Sequence, residues 1–165
     1  MRRKWIGLVL PMMMISALAV ACSDDGGNGG VTGPTIADLA GTWNATSILL
    51  TWNANPAVQL DLVQTLGATV TLQVTNQNRY TFTVSVPGLP AQIIMGDFTF
   101  TATGANSGTF GLSDDTDPPG TAPTTGTLTL SGNMVTINIP DAELVDFDMD
   151  GTEDEALLVG QLTRQ

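Results

Sequence analysis

The chain has 165 residues, with 5 basic and 16 acidic side chains, no His and one Cys, for a formal net charge of −11. Arg2, Arg3 and Lys4 supply most of the positive charge, so the remainder sets only Arg79 and Arg164 against all 16 acids, a net −14. Such a surface cannot neutralise phosphates, which excludes nucleic acid as a partner. The lack of His excludes an imidazole base and a His-ligated metal, and the lone Cys excludes an intrachain disulfide and a Cys-only zinc site. The length suits one domain.

Residues 1–22 read MRRKWIGLVLPMMMISALAVAC. A basic start, an apolar run from Trp5 to Val20 and a small-residue stretch before Cys22 have the order of a secretory signal. The apolar run is about 16 residues, short for a spanning helix, and Pro11 interrupts it. The stretch Leu18-Ala19-Val20-Ala21-Cys22 resembles the lipobox of bacterial lipoproteins. That resemblance implies a signal peptide over 1–21, cleavage before Cys22, and a diacylglycerol on the Cys22 thiol. The membrane is then a partner through the N-terminal lipid, since two or more acyl chains hold a protein stably on a bilayer. Ser23 rather than Asp after the Cys implies the outer membrane of the bacterial cell envelope. The resemblance makes Cys22 the lipidated residue at the head of a segment, 22–35, whose Gly-rich composition predicts a flexible tether spanning roughly 20 Å by random-coil scaling.

Residues 36–165 form the domain. Ile36-Ala37-Asp38-Leu39 predicts one short helical turn, and the rest is dominated by period-2 alternation. Strands are predicted at 42–52, 58–63, 68–75, 79–86, 92–103, 108–113, 124–131, 134–139, 143–147 and 156–163. Val70, Leu72 and Val74 alternate with Thr and Gln; Tyr80, Phe82, Val84 and Val86 alternate with Thr and Ser. Thr on the outward positions suits a half-buried pleated surface. Asn76-Gln77-Asn78, the 104–108 segment and Ser131-Gly132-Asn133 supply turns between strands. Residues 114–123, DDTDPPGTAP, read as an acidic surface loop. Trp43 and Trp52 are nine residues apart, which places them on opposite faces of a regular strand unless a bulge intervenes.

The expected fold is all-β: an antiparallel meander of eight to ten strands closing into a barrel, with a two-sheet β-sandwich as the rival. The segment Ile36-Ala-Asp-Leu-Ala-Gly41-Thr42-Trp43 resembles the start of the lipocalin-like proteins. The resemblance implies that Trp43, entered through Gly41, plugs one end of an eight-stranded barrel, and that Arg164 in the last strand packs across its indole. It further implies a non-enzymatic binding module. Its interior, expected from Phe82, Phe98, Phe100, Phe110, Leu128 and Ile137, either holds a small apolar ligand or is filled by side chains.

Residues 141–155, DAELVDFDMDGTEDE, hold half of the chain's acids. Asp146, Asp148, Asp150 and Asp154 stand at positions 1, 3, 5 and 9 of a calcium loop, with Gly151 at 6 and the Thr152 carbonyl at 7. The spacing resembles EF-hand, dockerin and integrin-type calcium sites. Leu157 replaces the twelfth-position Glu, and both flanks read as strands, so the expected site is a Ca²⁺ loop between strands with a dissociation constant of about 10⁻⁴–10⁻³ M. A calcium-stabilised structural or protein-interaction module is the alternative function. No nucleophile elbow, phosphate loop or paired-carboxylate cleft points to an enzyme.

Overall fold

The computed structural model describes residues 33–165. The expected signal peptide, Cys22 and most of the tether lie outside these residues. One helical turn, α1 (Ile36–Leu39), precedes nine strands: β1 (Gly41–Trp52), β2 (Gln59–Asp61), β3 (Thr69–Val74), β4 (Arg79–Ser85), β5 (Gln92–Ala102), β6 (Ser107–Asp114), β7 (Thr124–Ser131), β8 (Met134–Val145) and β9 (Asp154–Arg164). The end of the expected tether belongs to the domain. Pro34 is buried, and a Cβ on Gly33 would lie 2.5 Å from Ala102 Cβ.

The strands form one antiparallel sheet in the order β1-β3-β4-β5-β6-β7-β8-β9, and β9 returns to pair with β1 from Trp43↔Arg164 to Trp52↔Ala156. That pairing closes an eight-stranded barrel and excludes the sandwich, because closure leaves no open edge on these strands. The short β2 is an addition: its register Leu49↔Asp61 to Thr51↔Gln59 covers the part of β1 that β3 does not reach. Asp61 ends it by folding the following turn onto its own carboxylate. Its Oδ1 accepts the Val63 and Gln64 N–H groups at 2.9 Å each, and its Oδ2 accepts the Ser47 hydroxyl.

One element departs from the sequence expectation. The strands predicted at 134–139 and 143–147 are the single strand β8, with irregular register between Ile139 and Ala142 and again between Glu143 and Val145. Pro140 has no N–H to give the ladder; the bulge absorbs it, and pairing with β9 resumes beyond.

Side chains alternate inward as the period-2 pattern requires. Ile48, Leu50 and Leu162 are fully enclosed, and among the described residues Tyr80 and Trp43 are the buried side chains that carry a polar atom. Each such aliphatic side chain contributes about 1.5–3 kcal/mol by leaving water. A bulge between Ala45 and Ser47 changes the parity of β1. Trp43, Ile48 and Leu50 therefore share the inner face, and Trp52 has the parity of Ile48 and Leu50 but stays half-buried at the end of the strand, outside the core.

Candidate functional site

The two ends of the barrel differ in chemistry. At one end α1 lies below Trp43, whose indole is 1% exposed and donates its Nε1–H to the Leu39 carbonyl at 2.8 Å. Gly41 enters the strand at φ +139°, a conformation that side-chain-bearing residues rarely adopt. The Arg164 guanidinium carbon stands 4.5 Å from the Trp43 ring centroid, and its Nη2 donates to the Asp38 carbonyl. The Asp38 carboxylate in turn accepts the Thr35 N–H at 2.8 Å and the Thr35 hydroxyl at 2.7 Å. These bonds, the backbone one first, hold its pKa below the usual carboxylate value. Gly41, Trp43 and Arg164 thus meet in one cluster that caps this end.

Toward the other end the barrel is hollow. A cavity of about 560 Å³ runs between the strands, within the size range of small-molecule sites. Leu72, Phe98, Phe110, Leu128, Ile137 and Leu158 form its depth, and Phe82, Ile94, Leu112 and Ile139 also line it. Phe98 and Phe110 stack with ring centroids 6.1 Å apart. Of the six side chains expected inside, Phe100 does not line the cavity; it is half-buried, with its ring against Gly108. Asp114, Asp117, Asp141 and Glu153 line the cavity from the strand ends and loops at the end away from Trp43.

Tyr80 was expected only as an inward strand residue, and the structure gives it a larger part. It is 4% exposed and lines the cavity. A Cβ on Gly96, its pairing partner across β4–β5, would come within 2.9 Å of its ring, so the glycine makes the seat for the phenol. Burial pushes its pKa up to about 12, assisted by the charges on Asp114, Asp117 and Asp115 and opposed by Arg79. It is a neutral phenol at neutral pH.

The acidic loop 114–123, read from sequence as surface, supplies part of the cavity mouth. Asp114 continues the inward series Phe110, Leu112, and that parity is the signal that locates it. Asp115 instead faces outward and pairs with Arg79, which also binds Asp97 at 2.8 Å.

The calcium-spaced segment is the β8–β9 hairpin. Asp146, Asp148 and Asp154 each bring a carboxylate oxygen within 4.8 Å of the others. Backbone donors hold them: Asp146 accepts the Asp150 and Gly151 N–H groups at 3.2 and 2.9 Å, and Asp154 accepts the Phe147 N–H at 2.7 Å. Gly151 sits at φ +95°. Asp150 is outside the cluster, turned onto the Thr152 N–H at 2.9 Å and the Thr152 hydroxyl. Those two bonds lower its pKa. The Asp150 N–H lowers the pKa of Asp148, but desolvation and the charges of Asp150, Asp154 and Asp146 outweigh it, and the net shift is upward. Phe147 stacks on Trp52 at 5.9 Å and 11°, tying the hairpin to the wall of β1.

No protein-family model matches the chain, and no curated protein matches it.

Proposed function

We propose that the chain is a non-enzymatic, lipid-anchored lipoprotein of the bacterial outer membrane, whose lipocalin-like barrel binds a small apolar ligand. The observation that supports it is the cavity of about 560 Å³, apolar in its depth and lined by acidic side chains at the end away from the Trp43 plug. The absence of His, and the placement of the one Cys at the end of the signal-like segment, favour binding over catalysis. Titration with the neutral solvatochromic dye Nile red tests the reading. Saturable binding at micromolar protein is expected, together with its loss in Leu128→Trp, whose larger side chain fills the cavity while the melting temperature stays near that of the parent. A signal that never saturates, or one that Leu128→Trp leaves intact, refutes it. For the anchor, labelled palmitate incorporates into the chain and fails to do so in Cys22→Ala.

A second reading, calcium as a clamp on the β8–β9 hairpin of a structural or interaction module, is favoured by the mutual approach of Asp146, Asp148 and Asp154. These are hard oxygen donors in a hairpin with a left-handed Gly, which suits Ca²⁺. A cation there relieves the repulsion felt by Asp148. It would raise stability by binding only the native state. Melting in millimolar calcium is expected to exceed melting in chelator, and Asp148→Ala to erase the difference. Equal midpoints for the parent in both conditions overturn this reading.

A further inference from the structure

The cavity joins an apolar body to an anionic mouth. Asp114, Asp117, Asp141 and Glu153 line it, and both described arginines are committed elsewhere. Arg79 is paired to Asp97 and Asp115, and Arg164 lies over Trp43 at the closed end. Acidic loops are common as solvated surface, so the carboxylates alone identify nothing. Tyr80 adds an independent observation. It is 96% buried in the cavity wall, and its hydroxyl makes no hydrogen bond among the described residues. Among the described residues no fully enclosed side-chain oxygen or nitrogen lacks a partner, so the unbonded Tyr80 hydroxyl is accessible, and Tyr80 lines the cavity. The hydroxyl is thus free to bond whatever fills the cavity beside it, water or a ligand's donor. Tyr80 and Asp114 pair with Gly96 from its two sides, so the phenol and this carboxylate stand one strand apart across a residue with no side chain, and both line the cavity with Asp117.

Resting on the cavity reading above, we infer that the ligand is a cationic amphiphile: an apolar chain or ring system in the barrel, with a protonated amine at the mouth toward Tyr80, Asp114 and Asp117. An ammonium group has three donors and no acceptor, which matches a mouth of carboxylates and a phenol oxygen. Hydrogen bonds from a charged donor to carboxylates are the strong ones, and apolar walls strengthen them by lowering the local dielectric. A fatty acid of the same length meets only repulsion there. The negative field of the whole chain, −14 beyond its first four residues, also draws cations toward the mouth.

The test compares decylammonium, decanol and decanoate by calorimetric titration into residues 31–165, a segment whose closed barrel and core are its own. One charge-assisted bond is worth about tenfold in affinity, so decylammonium is expected to bind at least about tenfold tighter than decanol, with decanoate weakest. Asp114→Asn with Asp117→Asn, and separately Tyr80→Phe, should each weaken decylammonium several-fold and leave decanol within about twofold. Both changes keep the size of the side chain, and the decanol result reports that the barrel is intact. Equal affinities for the amine and the alcohol, or an amine preference that survives in the Asn variant, overturn the inference while Nile red binding still stands. Failure of all three ligands and of Nile red overturns the cavity reading and this inference with it.

Discussion

The two arginines of the barrel allow a matched comparison, since Arg164→Ala and Arg79→Ala remove the same charge from very different places. Arg164 covers an indole that is 1% exposed, at 4.5 Å from the ring centroid, and bonds to the Asp38 carbonyl in α1. A cation over a partly desolvated Trp is worth about 1 kcal/mol. The bond to the carbonyl adds about 1 kcal/mol, and the loss of the packed methylene stem adds a fraction more. The expected cost of Arg164→Ala is therefore about 2–3 kcal/mol, a fall in melting temperature of roughly 10 °C for a domain of this size. Arg79 holds two carboxylates on the outer surface, where water screens the pairs and ordering the side chain offsets their attraction. Arg79→Ala should shift the melting curve little, and high salt should shrink even that shift. Thermal unfolding followed by circular dichroism at low and high salt reads all four values. If Arg79→Ala costs as much as Arg164→Ala, net charge rather than the plug controls stability, and the reasoning fails.

Three further outcomes follow from packing and titration. Leu162→Ala, in the filled end, is expected to cost about 3 kcal/mol, whereas Leu112→Ala, beside existing open space, costs about 1 kcal/mol; chemical denaturation that ranks them the other way removes the contrast between the ends. Desolvation raises the pKa of Asp61, but its bonds from Ser47, Gln64, Ile48 and Val63 outweigh that and lower it. Its stabilising contribution is thus full above the ordinary carboxylate pKa and lost as pH falls through the lowered native value. Melting curves of the parent and Asp61→Asn should differ at neutral pH and converge in strong acid. Tyr80 is the one Tyr of the chain and its pKa is pushed up to about 12. Ultraviolet absorbance should show phenolate forming well above the ordinary Tyr value of about 10, and earlier in Asp114→Asn. Stability linked to Tyr80 is complete below the unfolded pKa and is lost as pH rises toward the native one; a half-point at the ordinary Tyr value in the native protein refutes the burial argument.

Strand order and inward faces were legible because they are local. A Val70-Leu72-Val74 or Phe98-Phe100 alternation needs only neighbouring residues to declare which side of a strand meets the core. The errors came where local rules compete. The strands expected at 134–139 and 143–147 are one, and a bulge carries β8 past Pro140. Phe100 shares the parity of Phe98, yet it lies outside the cavity, since the hollow does not run the length of the barrel. Asp114 and Asp117 sat in a loop that composition alone marks as solvated. Their place at the mouth depends on where the β6–β7 connection lies relative to β8, whose Ile137 and Asp141 are 20 or more residues further along the chain. In the β8–β9 hairpin the spacing of the carboxylates was plain, but hydrogen bonds decided which of them meet: Asp150 folds onto Thr152, leaving Asp146, Asp148 and Asp154 together.

By itself, then, the sequence determined an acidic all-β domain of alternating strands behind a signal-like segment, together with the positions of its turns. Tertiary structure decided that β9 closes on β1, that a bulge shifts the parity of β1 between Trp43 and Trp52, and that the barrel is capped at Trp43 and hollow beyond Phe98 and Phe110. The division has a physical cause. Alternation and turn chemistry are properties of a few adjacent residues, whereas closure and cavity volume are sums over side chains that meet only when strands distant in the chain come together.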